Sequence, residues 1–268
     1  MDFDNEPIAF SRKDISRYVK LPKLLTPELA EIIGIIIGDG HLEFNKKYTK
    51  TTMYLLNISG SSSEDEDYYT NRINPIFFRL FNVKFNISKR RNDELVLNLY
   101  SKAITSFFKN LGISPGKKVD DVSIPKIILN AEKEIKKGFI SGVMDTEGSI
   151  SFKKDYFKKH SKPLISINAK SKKIITQLRK LLEEFNLKPS IYKEEYLDKR
   201  NNKISTRYRI DLAGKESLRK YLDTINFNNP RHITKINIWE KFGFCPPNLN
   251  YSQKNQILEG KLDPNGFY

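Results

Sequence analysis

Two acids in this 268-residue chain stand out by what precedes them. Asp39, in Gly38-Asp39-Gly40, and Glu147, in Thr146-Glu147-Gly148, each close a stretch in which a small residue recurs every fourth position. The first stretch has Ala30, Gly34 and Gly38, and the second has Gly138, Gly142 and Thr146. Mostly apolar side chains fill the intervals. Small residues at i, i+4 and i+8 form a flat stripe that lets two helix backbones approach closely. Two such helices packed through Gly34, Gly38 and Gly142 would make a pseudo-twofold interface and bring Asp39 and Glu147 together. Like charges held close need a cation. An oxygen-only set with few carboxylates suits Mg²⁺, with Mn²⁺ as a substitute. Metal ions at adjacent phosphates activate water and stabilise the leaving oxygen in phosphodiester hydrolysis. Taken once, Gly-Asp-Gly is equally a packing glycine and a capped turn; its doubling is the stronger sign.

The elements that must position these acids are also written twice. Leu56-Asn57-Ile58-Ser59-Gly60-Ser61 parallels Ile165-Ser166-Ile167-Asn168-Ala169-Lys170, and Phe81-Asn82-Val83-Lys84 parallels Phe185-Asn186-Leu187-Lys188. Leu99-Tyr100-Ser101-Lys102 likewise parallels Leu212-Ala213-Gly214-Lys215. Each unit reads helix, two strands, helix, two strands, helix. In the first, a helix over Pro27–Gly38 has Thr26 as N-cap and proline at its first position. Strands follow at 41–48, 52–59, 83–91 and 94–100, with helices at 64–81 and 102–111. The second has strands at 149–156, 163–169, 188–196 and 203–212, and helices at 171–185 and 215–225. The expected division is an N-terminal extension (1–26), a first unit (27–114), a linker (115–125), a second unit (126–232) and a C-terminal extension (233–268). That last stretch places Trp239 and Phe242 on a short helix before Pro246-Pro247. Tyr68-Tyr69 and Phe77-Phe78 read as core.

Composition narrows the class. Lys and Arg number 47 against 32 Asp and Glu, a net charge of +15, and 38% of residues are hydrophobic. That is enough for a core, with an excess charge suited to a polyanion; a lysine-rich proteome or a thermophile surface gives the same excess. Cys245 alone excludes an intrachain disulfide framework, and with three histidines a Cys/His zinc site is not expected. The acidic Met1–Glu6 is neither signal nor transit peptide. The apolar run Ile32–Ile37 is too short to span a bilayer. The expectation is an intracellular protein, of prokaryotic cytoplasm or an organellar matrix, without a membrane partner. No nucleophile elbow and no P-loop is present.

The stretches Ile32–Gly40 and Ile140–Gly148 resemble the paired signature of the LAGLIDADG homing endonucleases in their monomeric two-repeat form, over roughly residues 26–232. The resemblance implies an α+β fold of two pseudo-symmetric αββαββα units packed through the motif helices, a DNA-binding saddle of two antiparallel sheets. It implies that Asp39 and Glu147 are catalytic and bind metal, helped by the backbone carbonyls of Gly38 and Thr146. The family lysine after the second strand is matched by Lys170, which read by itself is also an ordinary solvated lysine at a helix start. The matching position in the first unit is Ser61, give or take one, so the two halves are unequal. Candidate DNA contacts are Lys46, Lys47, Lys84, Lys89, Arg90 and Arg91 in the first unit, and Lys153, Lys193, Arg207 and Arg209 in the second.

The function implied is site-specific, Mg²⁺-dependent double-strand cleavage of a long asymmetric DNA target, across the minor groove with short 3′ overhangs, serving intron homing. Two other readings stay open: an RNA maturase that folds intron RNA, and a catalytically silent DNA-binding protein. An intein would need splicing residues at both junctions. Met1 and Gly266-Phe267-Tyr268 do not supply them, so a freestanding protein is expected.

Overall fold

The computed structural model describes residues 7–45, 52–116, 122–198 and 202–268. In α1 (Arg12–Ser16), Ser11 and Asp14 cap each other. The Asp14 carboxylate also accepts from Ala103 N at 3.2 Å, and Arg17 donates to Tyr100 O at 2.6 Å. These two bonds fasten the described part of the N-terminal extension to the first unit. In α2 (Pro27–Gly38), proline occupies the first turn and the Thr26 hydroxyl accepts from Leu29 N at 3.2 Å. Leu29 to Gly38 are all buried, as befits a helix enclosed on every side.

The chain continues through β1 (Gly40–Asn45), β2 (Met53–Ser61), α3 (Glu66–Tyr68), a π-helical turn (Tyr69–Ile73), α4 (Asn74–Phe81), β3 (Asn86–Lys89), β4 (Glu94–Tyr100) and α5 (Lys102–Asn110). The strands form an antiparallel sheet ordered β1-β2-β4-β3. Leu42, Leu56, Ile58, Leu95, Leu97 and Leu99 share its buried face. In the helical layer Phe81 lies 4.5 Å from Phe77 and 5.5 Å from Phe108 between ring centroids. Next come α6 (Lys126–Leu129), α7 (Lys133–Thr146), β5 (Gly148–Lys154), β6 (His160–Ala169), α8 (Lys172–Glu184), β7 (Ser190–Asp198), β8 (Lys203–Ala213) and α9 (Lys215–Thr224). Here the sheet order is β5-β6-β8-β7, the same sequence of pairings.

Two compact units result: Met1–Val119 with Ile124–Thr146, and Asp120–Ser123 with Glu147–Tyr268. The sequence repeat assigns 126–232 to the second unit, whereas in the packing α7 lies with the first because its glycines seat it on α2. Three expectations are corrected. β3 begins at Asn86 rather than 83, because Asn82 ends α4 at φ +58 and the Asn74 amide holds Phe85 N (2.8 Å) and O (3.3 Å) out of the ladder. Phe78 is 44% exposed, so it is not core, although Tyr68, Tyr69 and Phe77 are buried. The helix bearing Trp239 is α10 (Pro230–Phe242), 13 residues long and begun before 233.

The C-terminal extension braces the second unit. Trp239 stacks on Phe152 at 5.8 Å and donates to Ser161 O at 2.8 Å, and Cys245 N donates to His160 O at 3.0 Å. Further along is α11 (Tyr251–Leu258). Among the described residues, no helix is long and apolar enough to cross a membrane.

Candidate catalytic and nucleic-acid site

The motif helices meet backbone to backbone inside the first unit. A Cβ placed on Gly142 would run into Glu31 O, one on Gly138 into Pro27 O, and one on Gly34 into Phe139 O and, at 2.9 Å, Val143 N. Pro27 lies beside Gly138 and Glu31 beside Gly142, so the helices run parallel and finish at the same end. Gly34 and Gly142 therefore sit in the interface the sequence predicts; Gly38 is the buried last residue of α2.

Asp39 caps α2 with φ −97 and ψ 0, its N–H bonded to Ile35 O at 2.9 Å, and is half-buried. Its carbonyl accepts from Ser59 N at 3.3 Å, which ties it to β2. Thr146 ends α7, its hydroxyl donating back to Gly142 O at 2.9 Å, and Glu147 follows it, exposed, before β5. Each helix thus delivers one carboxylate at its C-terminus, where the helix dipole also favours a cation. Among the described residues, no three His, Cys, Asp or Glu side chains gather as a metal cage. At each helix end, a carboxylate next to a backbone carbonyl offers hard oxygen donors, which fit Mg²⁺ or Mn²⁺ keeping several waters.

A second helical segment reaches both motif helices. Arg72, on the π-helical turn, makes paired bonds of 2.8 and 2.9 Å to Glu31 of α2. Burial opposes the Arg72 charge, but Glu31 outweighs it and the guanidinium pKa is raised. Tyr68 donates to Asp145 of α7 at 3.2 Å, and Ser141 donates to the same carboxylate oxygen at 3.4 Å. Burial, then the charges of Asp145 and Glu31, push the Tyr68 phenol well above its ordinary pKa. Sequence reasoning reads Tyr68 as core, which it is. Its partner lies too far along the chain for periodicity to reveal.

The strand register aligns the ends of β2 and β6. Gly40 pairs with Ile58, and Gly148 with Ile167. Three residues on from each stand Ser61 and Lys170, so Ser61 is the counterpart of Lys170. Lys170 is exposed, between β6 and Ser171, the N-cap of α8. At Ser61 a different arrangement occupies the corner. The hydroxyls of Ser61, Ser62 and Ser63 and the Ser63 N–H all bond the Asp93 carboxylate, and those hydroxyls hold its pKa far below the usual range.

Alternation along each strand sorts the candidate DNA contacts by face. Arg207 and Arg209 lie on the open face of the second sheet, their guanidinium groups 5.2 and 5.1 Å from the Tyr196 and Tyr192 ring centroids. Glu194 between them accepts from Arg207 at 2.8 Å and from Arg209; these bonds, Arg207 first, lower its pKa. Lys153 is on the same face, and its cross-strand neighbour is Lys162, which strand parity marks and residue type alone does not. Lys193 points to the opposite face and pairs with Glu195 at 2.7 Å. Lys89 also faces the helical layer, in register with Leu95 and paired with Glu66 at 2.7 Å. Lys84 precedes β3, its ammonium 5.4 Å over Phe78. Arg90 pairs with Glu94 at 3.7 Å in the β3–β4 hairpin, where Arg91 is exposed. Lys46 and Lys47 lie outside the described residues. The open face of the first sheet carries His41, Asn57, Ser59, Asn86, Ser88 and Asn98, with Asn57 donating to Asn98 at 2.8 Å.

Residues 134–226 match the family model for a LAGLIDADG-like domain. The homing endonuclease I-DmoI, in a structure with DNA and Ca, superposes with a TM-score of 0.52 at 21% identity, covering 75% of this chain and 90% of its own. The chain carries a LAGLIDADG-like domain and has the LAGLIDADG homing-endonuclease fold, as the resemblance implies. Among curated relatives, a glutamine–fructose-6-phosphate aminotransferase of Methanocaldococcus jannaschii is 25% identical over 81% of this chain. A replication factor C small subunit of the same organism is 30% identical over 78%. This chain spans only 18% and 10% of their lengths. A segment shared by two proteins of unrelated activity brings neither activity with it.

Proposed function

We propose that the protein is a site-specific DNA endonuclease that hydrolyses phosphodiesters on both strands with divalent metal. The observation that carries this reading is the glycine-packed parallel pair α2 and α7, each finishing in an acid. Asp39 and Glu147 would hold divalent metal through their carboxylates, with the Gly38 and Thr146 carbonyls beside them. Bound there, the metal supplies Lewis acidity to the scissile phosphate and lowers the pKa of a water. Lys170 offers positive charge to the phosphate as negative charge builds. Water oxygen bonds to phosphorus as the P–O3′ bond breaks, leaving 3′-hydroxyl and 5′-phosphate ends with short 3′ overhangs across the minor groove. The half-site holding Ser61 lacks this lysine and cuts its strand more slowly.

Supercoiled plasmid libraries with random inserts, incubated with wild type and Asp39→Asn/Glu147→Gln in Mg²⁺ and in Ca²⁺, test this. The expected result is Mg²⁺-dependent linear product at a discrete site, absent with the variant, nicked circles appearing first. Binding without cleavage by wild type would overturn the endonuclease and favour the intron-RNA or silent DNA-binding reading.

A further inference from the structure

The turn between β5 and β6 presents two rings to solvent: Tyr156 is 92% and Phe157 80% exposed. Their centroids stand 5.5 Å apart with the planes at 86°, so they offer two differently directed π-faces. The turn beneath them is well tied. The Asp155 carboxylate accepts from Ser161 Oγ at 2.7 Å and Lys159 N at 3.0 Å, and Asp155 N donates to Lys159 O at 2.8 Å. Lys158 closes it at φ +62. Lys159 is turned aside, its ammonium 4.2 Å over Tyr268 and 4.6 Å over Phe244, whereas Lys153, Lys154, Lys158 and Lys162 lie within a few residues of the rings along the chain. The one acid of the turn, Asp155, is already bonded.

Apolar rings set among ammonium groups suit a partner with flat faces and negative charge. Nucleic acid has both, since every base has a π-face and every linkage a phosphate. Lys153 and Lys162 also share the open sheet face of Arg207 and Arg209, at the opposite end of β6, so the turn stands at the margin of that face. Resting on the DNA-binding reading above, we propose that Tyr156 and Phe157 form a base-stacking element. They take up bases at an unstacked step at the margin of the duplex held by this sheet, each base lying on an aromatic face.

The test compares wild type, Tyr156→Ala/Phe157→Ala and Tyr156→Leu/Phe157→Leu by fluorescence anisotropy on a 40-base-pair duplex. The duplex is used fully paired and with a central three-base bubble, in Ca²⁺ over a salt series. Wild type should prefer the bubble about tenfold, within the range measured for base–aromatic stacking. Both variants should lose the preference with the salt slope unchanged, because no charge is removed. Leucine keeps apolar area but not the π-face, so retained preference in the leucine variant would overturn stacking. So would equal wild-type binding to both duplexes. No wild-type binding to either duplex would overturn the DNA-binding reading as well.

Discussion

The Tyr68 hydroxyl donates to the Asp145 carboxylate at 3.2 Å, joining residues 77 apart in sequence. With the Arg72–Glu31 pair it clamps the π-turned segment onto both motif helices, two residues before Glu147. π-Helical turns of this kind often mark functional segments. Tyr68→Phe leaves a buried carboxylate short of a donor, which costs about 1–3 kcal/mol. Urea unfolding should show the loss. The phenol's raised folded pKa also sets a sign: its contribution is whole below the ordinary tyrosine value of 10.0 and is lost as pH rises above it. Stability of the wild type, but not of Tyr68→Phe, should carry this alkaline decline.

Gly142→Ala should destabilise even though alanine is the better helix former by about 1 kcal/mol. The new Cβ meets the Glu31 backbone, which cannot swing away as a side chain would. Overpacking of this kind costs about 1–3 kcal/mol or more, enough to outweigh the propensity gain. Gly266→Ala meets nothing within 4 Å and should stay within about 0.5 kcal/mol of wild type. Thermal unfolding of the two variants separates the cases.

On the two sheets, position and not charge alone should decide DNA affinity. Arg207→Ala and Arg209→Ala, on the open face, should each lower the salt slope of binding by about 1. Lys89→Ala and Lys193→Ala remove the same charge from the other face, turned away from the bound duplex. Their slopes should match wild type. Anisotropy titrations at several salt concentrations give all four.

Cys245 is buried, and burial raises its thiol from 9.0 to about 11. A folded pKa above the unfolded one means the contribution is full below about pH 9 and is lost on the way to pH 11. Urea midpoints should fall through that window in wild type and stay flatter in Cys245→Ala. At pH 8 iodoacetamide should label the native thiol far more slowly than the unfolded one, because the thiolate is the nucleophile.

How much of the molecule is legible in its sequence depends on the range of each interaction. The caps, the four-residue glycine stripe, the strands and the doubled acid ends are local patterns, set by backbone geometry within a few residues, and the sequence by itself determined them. It placed the counterpart of Lys170 at Ser61 to within one residue, and the strand register made it Ser61. The glycine stripes already announce that α7 meets α2; that this contact groups α7 with the first unit was decided by the tertiary structure. It turned Lys89 and Lys193 away from the open faces, because a ladder's register, unlike residue type, fixes the side on which a charge emerges. It also put Tyr68 on Asp145 and left Phe78 in solvent. Contacts of that length depend on which surfaces the whole core brings together, and no local period encodes them.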